Sequence, residues 1–147
     1  MIGYGKIVFL AGLVDLGQHD DQNWKTDITF QLKKLGFTVI NPATTFIVTR
    51  PINDEDTKKL AYKVRAINEY AMKSSDYIIA RITERMSVGT VTELVLCHNY
   101  GKKCIIVWDS DVEPPLYLFT FDLPVVRSFD EAVEHINNHS SKHSESI

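Results

Sequence analysis

Apolar residues fall along this chain in short unbroken blocks, separated by longer stretches of helical spacing. Lys6 to Ala11, Thr38 to Asn41, Tyr77-Ile78-Ile79-Ala80 and Lys103 to Trp108 are the blocks. Runs of that length without polar alternation predict strands covered on both faces. Between them, Trp24, Ile28, Gln31/Leu32 and Leu35 recur at helical intervals, as do Leu60, Val64, Ile67 and Ala71, and then Val91, Leu94, Val95 and His98. Those are amphipathic helices with an inward stripe. Gly36 suits the C′ position that stops the first of them. Pro42 ends the second strand, and Ser74-Ser75 closes a long helix over about 55–73. Val125-Val126 predicts a short fifth strand. Ser128-x-x-Glu131 is a capping box that opens a last helix through about Asn138.

The order β-α-β-α-β-α-β-β-α predicts an α/β fold. It is a Rossmann-like (flavodoxin-like) parallel five-stranded sheet with helices on both faces. A single domain is expected over 1–138, with the polar residues 139–147 as a disordered tail. Ala43 to Asp56 has no clean period and reads as a long loop of the site. Leu116 to Phe121 is dense in aromatics and either stacks a base or packs at a subunit contact.

Composition narrows the classes of function. A chain of 147 residues fits one domain with a real core. Its net charge of −3 leaves no basic footprint, so no nucleic acid is expected as a partner. No apolar run reaches bilayer length and the N-terminus lacks a signal-peptide layout, so no membrane partner and a cytoplasmic setting are expected. Cys97 and Cys104 make neither a disulfide framework nor a metal pattern and read as small core residues. Only Gly12 and Gly17 stand in the first loop, so the dinucleotide fingerprint is missing, and no phosphate-cradling lysine motif occurs. No cofactor and no metal are expected.

Candidate chemistry gathers where strands end, because open α/β sheets bind ligands beyond the carboxyl ends of their strands. The loop after the first strand supplies Gly12 and, within the polar stretch Leu13 to Asp21, Asp15 and His19. A lone loop histidine is ordinarily solvated, Arg50 reads as a surface residue, and His98 reads as a helix-face residue rather than a ligand. The most informative stretch is Ser87-Val88-Gly89-Thr90-Val91-Thr92-Glu93-Leu94, a loop that becomes a helix. Gly89 lets a ligand approach the backbone, and Ser87 and Thr90 offer hydroxyls as contacts or caps. Glu93 has two readings. It completes a capping box, Thr90-x-x-Glu93, or it faces a cleft as an ionised nucleophile.

That stretch resembles the active-site loop of the nucleoside 2-deoxyribosyltransferase family. Three further segments resemble the family in register: Val8-Phe9-Leu10-Ala11-Gly12; Trp24 through Gly36 with Val39-Ile40-Asn41-Pro42; and Ser75-Asp76-Tyr77-Ile78-Ile79-Ala80. Together they span about residues 6 to 108. The resemblance implies that Glu93 attacks the anomeric carbon of a nucleoside and that the sugar's 5′ end lies near Ser87, Gly89 and Thr90. Ser87 stands where transferases of the family often have an acid and the related nucleoside 5′-monophosphate N-glycosidases have serine. Asn68 stands where the family usually has an aspartate that contacts the base, with Glu69 or Asp76 as alternative acids. The substrates implied are a nucleoside or nucleotide and a nucleobase. Three readings stay open: deoxyribosyl transfer to another base, hydrolysis of a nucleoside monophosphate, and nucleotide binding without catalysis. The resemblance also implies a homo-oligomer, a dimer or higher, with Leu116 to Phe121 as the candidate contact.

Overall fold

The computed structural model describes residues 3–12, 23–42, 53–85 and 87–145. In chain order the elements are β1 (Ile7–Ala11), α1 (Asn23–Lys34), β2 (Thr38–Ile40), α2 (Asp54–Ser74), β3 (Tyr77–Ile82), α3 (Val88–Asn99), β4 (Lys103–Trp108), a 3-10 helix (Leu116–Phe121), β5 (Val125–Val126) and α4 (Phe129–Glu145). The strands form one parallel sheet in the order β2-β1-β3-β4-β5. The chain moves outward from β1 to β2 and then returns past β1 to β3. The carboxyl ends of β1 and β3 therefore flank the crevice where such sheets bind ligands.

Alternation along each strand divides the core in two. Val8, Leu10, Tyr77, Ile79, Ile105 and Val107 face one side, where Trp24, Ile28 and Leu32 of α1 and Ala132, Val133 and Ile136 of α4 cover them. Phe9, Ala11, Ile78, Ala80, Ile106 and Trp108 face the other side, covered by Met72 of α2, Leu94 and Cys97 of α3, and Leu118 of the 3-10 helix. Each fully buried aliphatic side chain of this kind contributes about 1.5–3 kcal/mol. That explains why β1, β3 and β4 carry almost no polar residue.

The helix ends follow local chemistry. Gly36 takes a positive φ of 94° after α1, and the Gly36 and Phe37 N–H groups donate to Lys33 and Leu32 carbonyls at 3.0 and 3.1 Å. This is the expected glycine stop. Asn53 caps α2 by accepting from Asp56 N at 2.8 Å. Ser128 Oγ accepts from Glu131 N at 3.2 Å at the start of α4.

Three expectations change. The last helix does not stop near Asn138 but continues to Glu145, so the polar residues 139–145 are helical. Distant partners hold it there, since the Tyr77 hydroxyl meets His139 Nδ1 at 2.7 Å and buried Ser140 Oγ at 2.8 Å. β3 does not end at Ala80 but extends through Arg81 and Ile82, paired with Val107 and Trp108. On α2, Ile67 is 48% exposed, while Leu60, Val64, Asn68, Ala71 and Met72 turn inward. Ile67 lies one residue off that stripe. Leu116, Tyr117 and Phe119 stand exposed on the 3-10 helix, and only Leu118 of its residues is buried.

Candidate functional site

The site is built at the carboxyl ends of β1, β3 and β4. Ser87 caps α3: its Oγ accepts from Thr90 N at 3.0 Å and donates to Thr90 Oγ1 at 2.7 Å. Thr90 is buried. Ser87, not Thr90, is therefore the cap, which removes the capping-box reading of Glu93. Glu93 stands in the second turn of α3, beyond reach of the cap position. The Val88 and Gly89 N–H groups remain among the orphan donors of the helix start. Among the described residues a Cβ placed on Gly89 would meet nothing within 4 Å, which leaves room for a ligand at its backbone.

Glu93 is half-buried, and burial pushes its carboxyl up to about 7 while the Lys25 ammonium pulls it back. Lys25 was missed in the sequence because a lysine in a helix's first turn reads as solvated. It is 1% exposed, and its Nζ has no hydrogen-bond partner among the described residues. Burial drives its ammonium down to about 8, against the opposing charge of Glu93 and with help from Arg81. Taking two such charges out of water without direct pairing costs a fold stability, which makes the pair a candidate site.

Gly12 explains how Lys25 gets there. A Cβ at position 12 would lie 2.7 Å from the Trp24 ring and 3.7 Å from Lys25 Cε. Only a glycine lets the first turn of α1 close over the end of β1. Lys25 Nζ sits 5.5 Å from the centre of the Trp24 ring. The Arg81 guanidinium lies 5.9 Å from the same ring, and Arg81 Nε donates to Asp109 Oδ2 at 2.8 Å. A cation held near an aromatic face keeps part of its favourable electrostatics while losing water.

The remaining candidates divide clearly. Asn68 is half-buried on the inward stripe of α2, in step with Val64 and Met72. The alternative acids are engaged elsewhere. Asp76 Oδ2 accepts from Ile7 N at 2.8 Å at the amino end of the sheet, and Glu69 Oε1 accepts from the Tyr100 hydroxyl at 3.3 Å. His98 contacts the Phe121 carbonyl at 3.0 Å, tying α3 to the 3-10 helix. Asp15, His19 and Arg50 lie outside the described residues. Among the described residues no cluster suited to a metal ion occurs, and no helix is long and apolar enough to cross a membrane. Cys97 and Cys104 are buried, unoxidised core residues as expected; the hydrogen bond that the Cys104 thiol makes to Cys97, together with burial, holds that thiol protonated.

Residues 5–112 match the family described as nucleoside 2-deoxyribosyltransferase like. Solved structures share the fold. A conserved protein from Enterococcus faecalis V583 superposes with a TM-score of 0.67 at 13% identity, covering 91% of this chain and 98% of that one. The 2-deoxyribosyltransferase of Bacillus psychrosaccharolyticus gives 0.62 at 17% identity, with coverage of 86% and 89%. The CMP N-glycosidase of Clostridium botulinum gives 0.59 at 20% identity, with coverage of 90% and 98%.

Proposed function

The chain belongs to the nucleoside 2-deoxyribosyltransferase-like family, and on that premise we propose that it cleaves the N-glycosidic bond of a deoxynucleoside and transfers the 2-deoxyribosyl group to another base. The observation that carries this reading is the Glu93 carboxyl: half-buried, released from helix capping, and on the helix that follows β3, one of the two strands flanking the crevice. In the first step a Glu93 oxygen bonds to the anomeric carbon as the bond to the base breaks, and the electron pair leaves with the base nitrogen. Positive charge builds on the sugar in the transition state and the adjacent carboxylate stabilises it, as in retaining glycosidases. In the second step the nitrogen of an acceptor base displaces the carboxylate. Asn68 faces the base and supports the leaving nitrogen with a hydrogen bond; as an amide it transfers no proton, which water supplies. Gly12, Asp15, Ser87, Gly89 and Thr90 complete the substrate contacts.

A second reading is hydrolysis of a nucleoside 5′-monophosphate, with water in place of the acceptor base. Ser87 favours it, because a neutral cap leaves the Val88 and Gly89 N–H groups and the positive end of α3 free to receive a phosphate. Incubating the protein with deoxynucleosides and their monophosphates, with and without a free acceptor base, decides between them. Base exchange that requires the acceptor supports transfer. Base release without an acceptor supports hydrolysis. Neither reaction, with ligand binding intact, leaves a binding protein on this fold. We also infer a homo-oligomer joined through the exposed Leu116, Tyr117 and Phe119. A monomer in light scattering at micromolar concentration would sink that inference.

A further inference from the structure

Lys25 is the least expected feature of the molecule. It belongs to α1, which covers one face of the sheet, whereas Glu93 belongs to α3 on the other. Its Cε lies beside the end of β1, 3.7 Å from where a Gly12 Cβ would stand, and it is the neighbouring Trp24 ring, at 2.7 Å, that requires the glycine. Its Nζ is buried and has no hydrogen-bond partner among the described residues, yet its charge and that of Glu93 act on each other. The other groups around the pair are already committed. Arg81 of β3 is bound to Asp109 beyond β4, and the thiols of Cys97 on α3 and Cys104 on β4 lie in the core. Glu69 on α2 is turned to Tyr100. Nothing else in this set offers Glu93 a free positive charge.

We propose that Lys25, buried beside Gly12 at the end of β1 and unpartnered among the described residues, is a positioning residue that acts on Glu93 through its charge and favours the anionic carboxylate. This rests on the assignment of Glu93 as nucleophile. A carboxyl withdrawn from water favours its neutral form, which has no nucleophilic electron pair to spare at neutral pH. A buried cation offsets part of that burial and favours the charged form. Because the two groups are not in a direct ion pair, the cation does so without occupying the oxygen that attacks.

The test has two readouts. Carboxyl NMR, assigned by difference from Glu93→Gln, gives the Glu93 titration midpoint in substrate-free parent, Lys25→Met and Lys25→Arg proteins. The pH profile of kcat/KM is then measured on the same proteins. Lys25→Met is expected to raise the midpoint by about one pH unit or more and to move the acid limb of the profile with it. Activity returns at alkaline pH, and Lys25→Arg restores the parent midpoint. A midpoint unchanged in Lys25→Met overturns the proposal, and so does a rate that falls equally at every pH. If Lys25→Met does not fold, Lys25→Gln gives the same reading with a neutral polar side chain. A midpoint that moves in a protein without turnover upholds the pairing and removes the proposed reaction. A midpoint that stays in an active enzyme does the reverse.

Discussion

The two ends of the sheet are built on opposite terms. At the amino end, polar groups find partners. Ile7 and Asp76 exchange two hydrogen bonds at 2.8 Å, from Ile7 N to the Asp76 carboxylate and from Asp76 N to the Ile7 carbonyl. Tyr77 holds His139 and Ser140, Lys103 contacts His139, and Lys102 Nζ donates to the Lys73 and Ser75 carbonyls at 2.6 and 3.1 Å. At the carboxyl end, a buried ammonium has no hydrogen-bond partner among the described residues, and it and the half-buried Glu93 carboxyl are both pushed away from their ordinary ionisation. A buried polar group with partners rigidifies a fold; one left without them costs stability and is available to a ligand. The contrast teaches that polar groups at the amino end are spent on holding the protein together, whereas those at the carboxyl end are left for a ligand to meet.

The largest expected effect belongs to the carboxyl end. Glu93→Gln should lower kcat/KM by at least about 1,000-fold, the scale seen when a catalytic nucleophile is removed. Stability should move the other way. Burial raises the Glu93 midpoint to about 7, so its contribution to stability is full below the ordinary carboxylate range and is lost as pH rises through about 7. At pH 8 the variant should melt no lower than the parent. A Tm that drops sharply at pH 8 would mean that Glu93 is a support and would break the comparison.

The next effect belongs to the amino end. Tyr77→Phe leaves buried Ser140 without its partner and should cost about 1–3 kcal/mol in denaturant unfolding. The turnover of the folded protein should not change. Loss of turnover without loss of stability would show that the two ends are not separable.

Two smaller changes sharpen the carboxyl end. Ser87→Asp keeps an N-cap of similar quality but places an anion where a 5′-phosphate would sit. It should shift preference from monophosphates to nucleosides by roughly tenfold, measured as a ratio of kcat/KM values, since one desolvated repulsion of about 1.4 kcal/mol suffices. Equal losses on both substrates would argue against a 5′ role. The smallest change is expected from Asn68→Asp, which should reorder the bases accepted and add an ionisation to the pH profile. An untouched ranking and profile would place Asn68 outside the site.

The sheet was legible because burial on both faces forces unbroken apolar runs, which is why β1, β3 and β4 stand out. Ser87 and Glu93 were legible because loop, cap and helix chemistry are local in sequence. What escaped depends on contacts between distant residues. Residues 139–145 look like a tail until Tyr77, 62 residues before His139, supplies their partners. The inward turn of Asn68 shows only when Val64 and Met72 are taken as its neighbours, with Ile67 left out. Lys25 did leave a trace: it precedes Ile28 by three residues and Leu32 by seven, so it lies on the inward stripe of α1. A charge on that stripe, beside Trp24, was the available signal.

The sheet also tapers. Its inner strands have five, six and six residues, whereas the edges β2 and β5 have three and two. So short a border offers a neighbouring chain few backbone groups to zip onto. Growth into ribbons by one copy extending another's sheet is therefore disfavoured, which leaves contacts between copies to side chains on the outer surfaces.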